Sequence, residues 1–357
     1  MNNNNYNSGK LRSGRESNNR FVSSSFINDT RKSSIAIICA ILVLAIVSCT
    51  FFVVFGEFKW PLVVFEKPSN STPDEPSAPT YIASEGGKGL YQLDLSSGYA
   101  ILVRLSDMST LAHKYADEPI YPASMTKVMT VITALDLIEN LDDEYVVTKE
   151  ILNSIPDGAS TAWLSNCIGS KVSVRDLIYG ISYMSGADSV LCLLDYLDLS
   201  LEDFVTLMNK KAEEIGLQST RFGGAIGMDT EENQTTCRDM AAIMAYAMDN
   251  EDCVAFFGGS AYRLDFVEMT YYNSTLTKTL NNMGTNPQKV LGENYTLVAA
   301  KSGLEDKAGY CLVSYIRNNE TGEYFVLVTA KADRSETYPP NRYTIIDMVT
   351  IFDAINP

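Results

Sequence analysis

Pro122-Ala123-Ser124-Met125-Thr126-Lys127-Val128-Met129-Thr130 is the stretch on which the reading of this chain turns. The apolar spacing predicts a helix over Ser124 to Glu139. On a helix, residues three apart share a face, so the Lys127 amine reaches the Ser124 hydroxyl. An amine kept neutral by burial or by a nearby cation can take that hydroxyl's proton and turn the oxygen into a nucleophile. The same pair also fits an N-capping serine followed by a solvated lysine. Its meaning depends on what else the chain supplies.

Two further stretches supply it. Lys301-Ser302-Gly303 stands just before a predicted strand, Gly309 to Ile316. A cation, a hydroxyl and a glycine at a strand edge can bind a carboxylate and let a substrate backbone lie close. Tyr183-Met184-Ser185-Gly186-Ala187-Asp188 falls between two predicted helices, where Ser185 can face a cleft and relay a proton. Taken singly, the first also reads as an ordinary strand entry and the second as an ordinary interhelical turn.

Composition narrows the chemistry. The 357 residues are 46% hydrophobic and 20% charged, the makeup of a folded protein. His113 is the only histidine and no Cys-x-x-Cys pair occurs, which removes the common zinc sites and leaves a Ser-His-Asp triad dependent on one imidazole. No metal or other cofactor is expected. Cys167, Cys192, Cys237, Cys253 and Cys311 sit mostly in apolar runs and read as small core residues. If the chain is a catalyst, a base other than histidine is expected.

Charge and hydropathy divide the chain at one place. Residues 1 to 33 hold six basic and two acidic groups, leaving 22 basic and 42 acidic beyond them, a balance that argues against nucleic acid as a partner. Ile35 to Phe55 has only Ser48 and Thr50 as polar members, and as a helix it would be about 30 Å long, the thickness of bilayer hydrocarbon. Arg31 and Lys32 precede it, so the N-terminus is expected in the cytoplasm and the remainder outside. A cleaved signal peptide is the competing reading, against which stand the length of the run and the lack of a small-x-small site before Glu57. The expected layout is a disordered tail (1–33), a membrane helix (34–56), a Pro/Ser-rich linker (57–79) and an outer domain (80–357).

Within the outer domain, strands are predicted at Ala100 to Leu105 and Thr110 to Tyr115, and again at Gly309 to Ile316 and Tyr324 to Ala330. Between them, helical periodicity covers Val174 to Tyr183, Asp188 to Leu197, Leu201 to Ile215 and Thr236 to Met248, and a last helix fits Arg342 to Ala354. Strands at both ends with helices between imply one sheet interrupted by an all-α lobe, an α+β architecture with a cleft between the two parts.

Ser-x-x-Lys, a lobe serine and Lys-Ser-Gly, in this order, are the motif set of penicillin-binding proteins and class A β-lactamases. From about residue 100 to 355 the chain resembles the serine D-alanyl-D-alanine carboxypeptidases, the low-molecular-mass penicillin-binding proteins of peptidase family S11. Gly216 to Phe222, Gly227-Met228-Asp229, Thr235 to Ala241 and Lys331-Ala332-Asp333-Arg334 extend the similarity beyond the β-lactamases. The resemblance implies the transpeptidase-like fold, an antiparallel sheet flanked by helices plus the inserted lobe. Since the chain stops after its last predicted helix, the C-terminal β-domain of some relatives is not expected.

The resemblance also implies roles. Ser124 attacks the penultimate D-alanine carbonyl of a peptidoglycan stem peptide, Lys127 takes its proton, and Ser185 passes a proton to the leaving amine. Lys301 lowers the pKa of Lys127 by repulsion, and Ser302 and Gly303 seat the substrate. The oxyanion lies between the N–H groups of Ser124 and Leu304. Ser302 and Arg334 bind the terminal carboxylate, and β-lactams are covalent inhibitors.

Three departures accompany it. Ala187 stands where the family has Asn, whose loss costs about 1–3 kcal/mol of positioning. Ile226 replaces a usual His, and Lys-Ser-Gly replaces Lys-Thr-Gly. Two other readings therefore stand beside an active carboxypeptidase. One is a weakened or inactive relative that only binds wall peptides or β-lactams; the other is a β-lactamase or esterase of the same fold, for which no dedicated deacylating base is found.

Overall fold

The computed structural model describes residues 81–278, 290–332 and 342–357. The expected tail, membrane span and linker, and Arg334, lie outside the described residues. Among the described residues, no helix is long and apolar enough to cross a membrane.

The strands are β1 (Lys88–Gly89), β2 (Ser97–Arg104), β3 (Ser109–Lys114), β4 (Glu144–Val146), β5 (Lys171–Ser173), β6 (Ala261–Arg263), β7 (Thr270–Tyr272), β8 (Tyr295–Glu305), β9 (Gly309–Asn318) and β10 (Tyr324–Ala332). The helices are α1 (Thr126–Leu135), α2 (Lys149–Leu152), α3 (Val174–Met184), α4 (Ala187–Tyr196), α5 (Leu201–Ile215), α6 (Cys237–Met248), α7 (Glu251–Phe257) and α8 (Arg342–Ile355).

Six strands form one sheet in the order β1-β3-β2-β10-β9-β8. The early strands join the late ones through antiparallel pairing of β2 with β10, from Phe325 opposite Arg104 to Ala332 opposite Ser97. All neighbours are antiparallel except the two-residue β1, which runs parallel to β3. The alternation of side chains along a strand assigns each face its own core. Ile101 and Val103 of β2 and Val326, Val328 and Ala330 of β10 face the α-lobe, while Ala100, Leu102, Phe325 and Leu327 face α8. Burial on both faces explains why these strands read as nearly continuous apolar runs.

Predicted and observed elements differ in one consequential place. Lys301-Ser302-Gly303 precedes the expected strand, β9, but is not a strand entry; it lies inside β8, which is the edge strand of the sheet and pairs with β9 from Tyr295–Asn318 to Glu305–Gly309. A charged and a small residue within it break the apolar pattern that marks a strand in sequence. A bulge between Leu297 and Ala299 resets the register just before this stretch.

Local signals set the lobe. Helix α3 starts on a reciprocal capping box, in which Ser173 Oγ accepts from the Asp176 N–H (3.0 Å) and Asp176 accepts from the Ser173 N–H (2.8 Å). Helix α5 is capped by Ser200 and closed by Gly216 at φ 90°. Two segments that carried the family resemblance meet as a structural brace: the Asp239 carboxylate accepts from the Ser219 N–H (2.9 Å) and the Thr220 hydroxyl (2.8 Å). All five described cysteines are buried and free, as core thiols are, and burial raises the pKa of each.

Candidate active site

Ser124 sits in a single 3-10 turn, Ala123–Met125, immediately ahead of α1, so the helix begins slightly later than the spacing suggests. Neither the turn nor the helix has a side-chain cap, which leaves the Ser124 hydroxyl unspent on backbone. Lys127, one turn on, places Nζ 3.1 Å from Ser124 Oγ. It also donates to the Ile226 carbonyl. Ile226 thus acts through its backbone, and its side chain being Ile instead of the family's His does not remove that contact. Gly227 follows at φ 81°, and a Cβ there would lie 2.3 Å from the Ala123 carbonyl oxygen. Only glycine lets the Ile226 carbonyl and the nucleophile turn come this close.

Ser185 closes α3 in the left-handed conformation (φ 58°, ψ 30°), an uncommon state for a residue other than glycine, which serves here to turn its side chain out of the helix. Its Oγ accepts from Lys301 Nζ at 3.1 Å, and Lys301 also donates to the Ser302 carbonyl (3.0 Å). Lys301 is wholly buried in β8, and two residues on, Gly303 faces the nucleophile turn: a Cβ on it would stand 2.9 Å from Ala123 Cβ and 3.1 Å from Ser124 N. The structure therefore brings Ser124, Lys127, Ser185 and Lys301 to one place. Ser124, Ser185, Ser302, Gly303 and Leu304 line a single cleft of about 590 Å³.

The two amines differ from ordinary lysines. Burial pushes Lys127 down to about 7, with Glu305 and Asp188 pulling upward by their negative charge. Lys301 is pushed well below its usual range, first by burial and then by repulsion from Lys127. Burial is the first cause for both amines, and the repulsion between them, which is mutual, adds to it. At neutral pH a large share of Lys127 is the free amine, able to accept a proton from a hydroxyl 3.1 Å away.

Ala187 is fully buried and offers only its N–H, which donates to the Ser160 carbonyl (2.8 Å). Its neighbour Asp188 braces the cleft wall instead, accepting from the N–H groups of Ala162 (2.7 Å) and Leu164 (3.0 Å). Asp157, Ser160, Glu305 and Asp306 also line the cleft and were not singled out from sequence. Glu305 was accessible to period-2 reasoning, since it follows Lys301 and Gly303 at steps of two. Asp157 and Ser160 lie in a loop without such a signal. His113 lies on β3, outside the cleft lining.

Comparison with known proteins agrees with this geometry. The model of the D-alanyl-D-alanine carboxypeptidase family matches residues 87–332. The chain is similar to the D-alanyl-D-alanine carboxypeptidase DacC of Escherichia coli, 30% identical over 266 residues, which cover 72% of this chain and 62% of that protein. It is similar also to DacF of Bacillus subtilis, 30% identical over 185 residues covering 51% of this chain and 46% of that one. The chain thus spans about half to three fifths of the length of these curated relatives. Among solved structures, the Streptomyces K15 DD-transpeptidase superposes with a TM-score of 0.62 at 23% identity, covering 74% of this chain and 98% of that one, a likeness of fold.

Proposed function

Since the chain belongs to the D-alanyl-D-alanine carboxypeptidase family, we propose that it is a serine-type carboxypeptidase removing the terminal D-alanine of peptidoglycan stem peptides through an acyl-enzyme. The observation that carries this is the 3.1 Å contact between Ser124 Oγ and a buried Lys127 amine whose pKa lies at about 7. A lysine in that state is a competent general base at neutral pH. Lys127 removes the Ser124 proton as Oγ attacks the penultimate D-alanine carbonyl. The C–N bond then breaks, and the proton reaches the leaving amine through Ser185, which Lys301 holds by donation. Water releases the shortened peptide and restores Ser124.

The backbone N–H groups of Ser124 and Leu304 are the proposed oxyanion donors. Ser302 already spends its N–H on the Thr275 hydroxyl, away from β9. By the alternation of an antiparallel edge strand, the next outward N–H belongs to Leu304, and Gly303 keeps the gap to Ser124 narrow. Ser302 and Arg334 are proposed to hold the terminal carboxylate, and β-lactams to acylate Ser124. The proposal includes the N-terminal helix (34–56) as a single membrane anchor, with the tail (1–33) cytoplasmic, the linker (57–79) as spacer and the 80–357 domain outside.

Ala187 favours a second reading, a catalytically weakened relative that binds wall peptides, because no side chain at that position reaches Lys127 or the substrate amide. Labelled penicillin and a pentapeptide ending in D-Ala-D-Ala separate the readings. A covalent adduct on Ser124 with D-alanine release is expected. Reversible binding without an adduct would favour the weakened relative, and rapid penicillin turnover a β-lactamase.

A further inference from the structure

Ser302 is the residue at which this chain's Lys-Ser-Gly departs from Lys-Thr-Gly, and it has a partner in Thr275, outside the three motifs. Thr275, 2% exposed, lies in the turn after β7, and its Oγ1 is 2.9 Å from Ser302 Oγ and accepts the Ser302 N–H at 3.1 Å. Thr275 is itself fixed. Asn273, fully buried, accepts from the N–H groups of Thr275 and Leu276 (both 3.1 Å), and its amide donates to the carbonyls of Phe257 (3.4 Å) and Gly259 (3.3 Å). Tyr183, two residues ahead of Ser185, donates its hydroxyl to the Gly258 carbonyl between them. One loop therefore anchors both walls of the cleft.

In the 2.9 Å hydroxyl pair either oxygen can donate; with Thr275 Oγ1 accepting the Ser302 N–H and giving its own proton to Ser302 Oγ, every group in the pair is used. Ser302, accepting that bond, has its own proton left to point into the cleft that it lines. A threonine at 302 would be restricted at χ1 by its branch; an unbranched serine keeps three open rotamers. Resting on the reading of Ser302 as the residue that meets the substrate's terminal carboxylate, we infer that Thr275 is a positioning residue: it pins the Ser302 rotamer and turns its hydroxyl proton toward that carboxylate, replacing the missing branch of Lys-Thr-Gly.

The test uses the full chain and two peptides ending in D-Ala-D-Ala, one with a free carboxylate and one with a carboxamide. Thr275→Val should lower kcat/KM for the acid about tenfold, mainly through KM, and leave the carboxamide nearly unchanged. Thr275→Ser, which restores the hydroxyl, should recover most of the loss. In a Ser302→Thr background, Thr275→Val should cost less than about threefold, because the branch now fixes the rotamer. Equal losses on both peptides, or the same loss in both backgrounds, would overturn the assignment. Binding of the two peptides to Ser124→Ala protein reads the same acid preference without turnover. A parent that binds but releases no D-alanine would thus sink the carboxypeptidase reading while Thr275 is still scored, and no acid preference in the parent would overturn the role given to Thr275.

Discussion

Helix α1 and strand β8 each bury one amine completely, and their surroundings set them apart. Lys127 has the carboxylates of Glu305 and Asp188 within electrostatic reach, which hold it near 7 against the pull of burial. Lys301 is pushed well below its usual range, first by burial and then by repulsion from Lys127. The difference teaches that the two lysines are not interchangeable cations. Lys127 is poised to exchange a proton near neutrality, while Lys301 holds the lobe wall, donating hydrogen bonds to Ser185 and the Ser302 carbonyl.

Replacing each amine breaks the comparison in a different way. Lys127→Met should reduce acylation of Ser124 by labelled penicillin by about 10³-fold or more, since the base is gone. Next in size, Gly303→Ala should cost about 10²-fold in the same assay, because its Cβ would crowd Ala123 and push the nucleophile turn from β8. Lys301→Met should slow acylation about tenfold through loss of the Ser185 contact. In that variant the pH at which acylation is half maximal should stay near 7. A rise toward the ordinary lysine range would mean that repulsion from Lys301, and not burial, lowers Lys127.

Much of this was legible in the sequence, and the rest was not for identifiable reasons. Ser124 and Lys127 are neighbours on one turn, so spacing alone pairs them. Leu201–Ile215 was read to its exact ends, because a capping serine and a closing glycine flank an amphipathic run. Ser185 and Lys301 lie 116 residues apart, and their meeting depends on β10 returning beside β2. Without the family resemblance no local rule joins them. The strand containing Lys301 was missed because its interior lacks the apolar alternation of β2 and β10. The contact of Thr275 with Ser302 is set by tertiary packing in a stretch without periodicity and outside the recognised motifs. That burial is the leading cause of the low Lys127 pKa was not legible, because burial depth is a property of the folded lobe and not of the motif.

The smallest expected effect sharpens the contrast most finely. Glu305 raises the Lys127 pKa by its charge, so Glu305→Gln should move the rising limb of acylation to lower pH, with the plateau rate little changed. A limb moving upward would reverse the assigned sign.

The rate of Ser124 acylation as a function of pH tests the central claim directly, that a buried and uncharged Lys127 activates the serine. A neutral base is needed, so the rate should climb as protons leave Lys127, reach half its maximum at about pH 7 and hold level above it. A rate that is flat from pH 5 to 9, or that rises only near the ordinary lysine range at about 10.4, would contradict it.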